Sequence, residues 1–130
     1  MMKIILILVF VLVVGVIAWA LLQHKDPPPG RKWQAQMEVK TLHEACKNYL
    51  MAYAHFPTGE ASQVYAALSG NNPRDVRFVY KPDYKWGTNG IVLDPWNTPY
   101  QIDFIDSETV IVRSAGKDVT WKTPDDIEGR

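Results

Sequence analysis

Three rhythms of apolar and polar residues divide the chain. Ile4 to Leu22 is an uncharged apolar run of 19 residues. As a helix it spans about 28 Å, close to the hydrocarbon thickness of a bilayer. It predicts an N-terminal transmembrane helix within an anchor segment, residues 1–25. From Trp33 to about Ala54 the period becomes three to four. Val39, Leu42, Cys46, Tyr49 and Tyr53 recur on one face, widened by Met37, Ala45 and Leu50. Glu38, Lys40, Glu44 and Lys47 occupy the other. This predicts an amphipathic helix, ended by Phe56-Pro57-Thr58-Gly59. A shorter helix is expected from Ala61 to Leu68, stopped by Ser69-Gly70-Asn71-Asn72-Pro73. Thereafter the period falls to two. Val76, Phe78 and Tyr80 alternate, predicting a strand over 76–80, and residues 81–90 read as a loop. Tyr100 to Ile105 and Thr109 to Arg113 flank Asp106-Ser107-Glu108 and predict a hairpin. The tail from Ser114 has no regular period.

Pro27, Pro28 and Pro29 interrupt any smooth helix between anchor and domain, so residues 26–32 read as a stiff spacer. Residues 33–130 then form one small domain. Its element order predicts an α+β fold in which a helix lies across a small antiparallel sheet and both bury their apolar faces.

Composition removes several classes of function. Lys plus Arg and Asp plus Glu stand at 14 each, which gives no electrostatic footprint for nucleic acid. The Tyr80–Trp86 stretch mixes lysines with aromatics, but Asp83 offsets its two lysines, and it reads as a loop covering one end of the core. Cys46 is the sole cysteine, so an intrachain disulfide is impossible, and its helical position marks it as a small core residue. His24, His43 and His55 have no zinc-ligand spacing. No nucleophile motif or phosphate-binding loop occurs, and no enzymatic activity is expected. Ala18-Trp19-Ala20 formally supplies a signal-peptidase site, but the apolar run continues through Leu22, which favours an uncleaved anchor. Lys3 lies on one side of the run and Lys25, Arg31 and Lys32 on the other. The positive-inside rule therefore does not favour an outward-facing C-terminal domain.

Two stretches stand out. Asp94-Pro95-Trp96-Asn97-Thr98-Pro99-Tyr100 reads as a rigid corner. Two prolines flank a turn, Asp94 can accept from nearby backbone N–H groups, and Trp96 and Tyr100 can cover the end of the sheet against the helix. In the tail, Asp118, Asp125 and Asp126 place three carboxylates on an irregular segment. A hard cation such as Ca²⁺ takes about 6–8 oxygens from carboxylates, carbonyls and water. The same three aspartates also read as a solvated surface.

Taken in order, the helix, HFPTGE, LDPWNTPYQI, the hairpin, SAGKD and PDDI resemble the major pseudopilin (protein G) of type II secretion systems, over roughly residues 35–127. Phe56-Pro57-Thr58 matches that family's turn after the helix. Asp94-Pro95-Trp96, Pro99 and Tyr100 match its corner motif, with Asn97-Thr98 in place of Gly-Asn. Ser114, Gly116 and Asp118 match its tail. The resemblance implies a pilin-like, non-enzymatic structural component held at the inner membrane by a single span, with residues 33–130 periplasmic. It implies other pseudopilins or secretion-system components as partners, and assembly of many copies. It also implies a calcium ion in the C-terminal loop. Asp118 and Asp125 would be side-chain ligands, with Asp126 and the carbonyl of Ala115 as further candidates. Val119, Thr120 and Trp121 stand where the family has glycines. The N-terminus departs further, with no Gly-Phe-like cleavage site and no Glu between Met1 and Lys25. The alternative is a tethered, calcium-stabilised periplasmic binding module outside any filament.

Overall fold

The computed structural model describes residues 12–19 and 30–130. Residues 12–19 are helical. The rest of the expected anchor, and residues 26–29 of the spacer, lie outside the described residues. Among the described residues no helix is long and apolar enough to cross a membrane.

The long helix α1 spans Arg31–Tyr53, beginning two residues before the expected start. It buries Ala35, Val39, Leu42, Ala45, Cys46 and Tyr49, the stripe set by the three-to-four spacing. Two positions depart from that reading. Met37 is 41% exposed, whereas Glu38, assigned to the polar face, is 9% exposed. Glu38 can be buried because both of its oxygens are satisfied. Tyr100 Oη donates to Oε2 at 2.5 Å, and Gln34 Nε2 donates to Oε1 at 2.7 Å. At its C-terminus α1 stops on Ala54, which is left-handed (φ 61°) and donates its N–H to the Leu50 carbonyl. Arg74 lies over the Tyr53 ring and donates to the Ala52 carbonyl, covering another orphan acceptor.

Helix α2 spans Ala61–Leu68, as the sequence predicts. Gln63 at its third position accepts from the Glu60 N–H at 2.8 Å, half of a capping box. The expected strand over 76–80 does not form. Its backbone is already committed: Asn72 accepts from Val76 N–H and donates to the Val76 carbonyl, while the amides of Phe78 and Val79 both donate to Leu68. A strand ladder would need those groups.

Residues 81–90 hold more order than a loop. A 3-10 turn at Lys81–Asp83 leads into β1 (Lys85–Trp86), which pairs antiparallel with β2 (Val92–Leu93). The predicted hairpin is present as β3 (Gln101–Phe104) and β4 (Val110–Ser114). A short strand that the tail's irregular pattern conceals, β5 (Ile127–Gly129), completes an antiparallel sheet in the order β3-β4-β5. The inward residues of β4, Val110, Val112 and Ser114, are all buried. Helix α1 packs across β4 and β5. At their contact, a Cβ on Gly129 would fall 2.6 Å from Val39 Cγ1, so only glycine lets the strand lie this close to the helix. The result is the expected α+β arrangement, a helix on a small antiparallel sheet.

Candidate functional site

The corner and the tail, read separately in the sequence, form one hydrogen-bonded unit. Asp94 is wholly buried at the end of β2. Its Oδ1 accepts from the amides of Trp96 and Thr98, each at 2.9 Å. Its own N–H donates to the Thr98 carbonyl at 2.8 Å, and Asn97 takes the left-handed conformation (φ 67°) between the two prolines. The carboxylate thus replaces a ladder partner and closes the turn. Tyr100 leaves the corner buried, with its hydroxyl on Glu38. Burial first, and then that hydrogen bond, push its phenol well above the usual range, so it remains a donor. Trp96 is half-buried and packs against the core.

The second oxygen of Asp94 reaches the tail. Ser114 Oγ donates to Asp94 Oδ2 at 2.7 Å and accepts from Gly116 N–H at 3.1 Å. Gly116 has φ 73°, and a Cβ there would lie 2.2 Å from the Asp125 carbonyl oxygen and 2.7 Å from its Oδ2. Glycine is therefore required twice, for the left-handed turn and for the close approach of Asp125. Asp125 Oδ2 in turn accepts from Asp118 N–H at 2.9 Å. The link between Asp94 and Ser114, twenty positions apart, was not legible in the sequence, where both were read as motif residues only. The only available signal was that each is a small polar residue close behind a short apolar run.

Four residues were expected at a metal site, and the structure treats them differently. Asp125 meets the backbone of Asp118, accepting its N–H at 2.9 Å, while the Asp118 carboxylate accepts from Thr120 N–H at 3.0 Å. The buried Ala115 adjoins Gly116 at their base. Asp126 is turned into a separate turn, where it accepts from Lys122 N–H at 2.8 Å and Thr123 Oγ1 at 3.3 Å. Among the described residues no three His, Cys, Asp or Glu side chains gather into a metal cage. Two carboxylates alone are too few for a hard cation, whose shell backbone carbonyls and water would have to complete. The loop between them is strained. Val119 (φ 57°) and Lys122 (φ 65°) are both left-handed, an arrangement uncommon outside glycine and a marked outlier for β-branched valine.

Elsewhere the reactive side chains have structural surroundings. Burial pushes the Cys46 thiol up to about 12. His55 Nδ1 lies 2.7 Å from the Phe56 carbonyl, and His43 Nδ1 lies 3.9 Å from Glu44.

A family model described as type II secretion system (T2SS), protein G, matches residues 24–128. No curated protein and no solved structure gives a significant match.

Proposed function

The chain belongs to the type II secretion system protein G family, and on that premise we propose that it is a non-enzymatic, membrane-anchored structural component of a secretion assembly. Its periplasmic domain would be residues 33–130, and its partners other pseudopilins, further system components and copies of itself. One observation carries the reading. The corner and tail motifs of the resemblance are joined into a single hydrogen-bonded unit, Asp94–Ser114–Gly116, on a helix packed against an antiparallel sheet. Such a unit serves a scaffold that must hold its shape. The apolar run Ile4–Leu22 supports the anchor. Nothing in the geometry favours the free-standing binding module over this reading.

The test is genetic. Deleting the gene should abolish export of the proteins that leave the cell by the type II route, and the full chain supplied in trans should restore it. Normal export in the deletion strain would refute the proposal.

The same reading includes a calcium ion in the C-terminal loop. Asp118 and Asp125 would hold it, with the Ala115 carbonyl and water completing the shell and Asp126 keeping the adjoining turn. The ion would neutralise both carboxylates and so favour the closed loop.

A further inference from the structure

The face of α1 turned away from the sheet holds large apolar side chains in solvent. Trp33, Met37 and Met51 are all exposed. Trp33 and Met51 stand 18 residues apart in the sequence, about five full turns, and so lie on one line of the helix. Leu42 is midway between them, and its buried side chain points the other way, into the core. The pattern along the outer line is symmetric about that midpoint. Apolar ends flank two opposite charges, Lys40 two residues before Leu42 and Glu44 two residues after it.

These charges are little used within the chain. Among the described residues Lys40 forms no ion pair, and Glu44 meets only His43, at 3.9 Å. A lysine four residues ahead of a glutamate is the poorer order for a pair within one helix. The other charge on this face, Lys47, donates to the Glu108 carbonyl at 2.8 Å. Lys32 and His43 lie about a quarter-turn aside, toward β5. The carboxylates on that flank are engaged: Glu128 pairs with Arg113 and Arg130, and Asp125 and Asp126 accept backbone N–H groups.

Two copies can bring such a face together by a two-fold axis in two ways. In the parallel way each residue meets itself, so Lys40 opposes Lys40 and Glu44 opposes Glu44, and like charges repel. In the antiparallel way, with the axis at the midpoint, Lys40 of each copy meets Glu44 of the other. Trp33 then meets Met51 at both ends, and Lys47 faces the uncharged Gln36. We infer that two copies of this chain pair through the outer face of α1, antiparallel about Leu42. The apolar ends supply affinity, and the crossed charges set the orientation. The inference concerns a closed pair and stands or falls apart from the secretion role.

The test is sedimentation of the full chain in detergent micelles over rising concentration. Wild type should pass reversibly from monomer to dimer. Lys40→Glu and Glu44→Lys should each weaken the dimer by at least about tenfold, and the two together should restore it. All three variants should melt near wild type, because both positions are exposed. A short bismaleimide reads the orientation. Met51→Cys and Trp33→Cys should cross-link when mixed but not separately, since like positions lie about 27 Å apart in the antiparallel pair. The native Cys46 is buried and does not compete. A monomer at every concentration overturns the inference and leaves the face to lipid or to the chain's own N-terminal segment. Cross-linking of Met51→Cys with itself overturns it in favour of a parallel pair. A ladder beyond the dimer, or a dimer indifferent to the charge reversals, overturns it as well.

Discussion

The corner at Asp94 and the loop from Asp118 to Asp126 use the same device under opposite conditions. In both, aspartate oxygens accept backbone N–H groups that a turn would otherwise leave unpaired. Asp94 is buried, and its oxygens meet Trp96, Thr98 and Ser114 in fixed positions. Asp118 is exposed and Asp125 half-exposed, and their loop carries two left-handed residues that are not glycine. A buried carboxylate whose oxygens are all used has little left to offer a ligand. Carboxylates on an exposed, strained loop have oxygens that water can reach. The chemistry is shared, and burial separates the turn that serves as framework from the one that stays open to solvent.

The contrast is sharpest for Asp94→Ala. This change strands two amides and a hydroxyl in or near the core and should cost about 3–5 kcal/mol. Urea denaturation measures it, and a loss below about 1 kcal/mol would remove Asp94 from the framework. Calcium tests the other turn. At one hundred times its dissociation constant a ligand of the native state adds about 2.7 kcal/mol, so wild type should melt later in calcium than in chelator. Asp125→Asn, which keeps an acceptor for Asp118 but loses the charge, should abolish most of that difference. Identical wild-type curves in calcium and chelator would withdraw the site.

Val119→Gly probes the strain. Relief of the left-handed valine outweighs the added freedom of glycine in the unfolded chain, for a gain of about 0.5–1 kcal/mol. Val119 is 52% exposed, so little packing is lost. A destabilised variant would mean that the loop is held by something other than its aspartates. The smallest effect belongs to Glu128, whose carboxyl Arg130 and Arg113 hold below its ordinary value of 4.5. Its contribution is present above that value and fades as pH falls through the lowered one. Exposure and salt keep it small. The stabilities of wild type and Glu128→Gln should therefore differ slightly at neutral pH and converge in acid. A gap that persists in acid contradicts the pairing.

The sequence disclosed the elements whose pattern is made by their own burial. α1, α2 and the β3–β4 hairpin each repeat apolar residues at their own period, and each lies where that period puts it. Elements set by partners elsewhere were not legible. The alternation at Val76, Phe78 and Tyr80 is real, but Asn72 and Leu68 take the backbone a strand would need. β5 is too short to show a period. Glu38 reads as a surface residue until Tyr100, 62 positions away, is seen to donate to it. The candidate site follows the same rule. The tail aspartates could be named from composition and resemblance. That Asp125 meets the backbone of Asp118 while Asp126 turns aside depends on backbone conformation that no residue type announces.

The lone thiol of Cys46 has a practical consequence. It sits on the buried face of α1, and burial holds it protonated. A thiol reagent therefore reaches it only when the helix leaves the sheet. The rate of labelling counts those departures one molecule at a time, without any probe having to be introduced. The fold carries its own clock, and each substitution above can be timed against it.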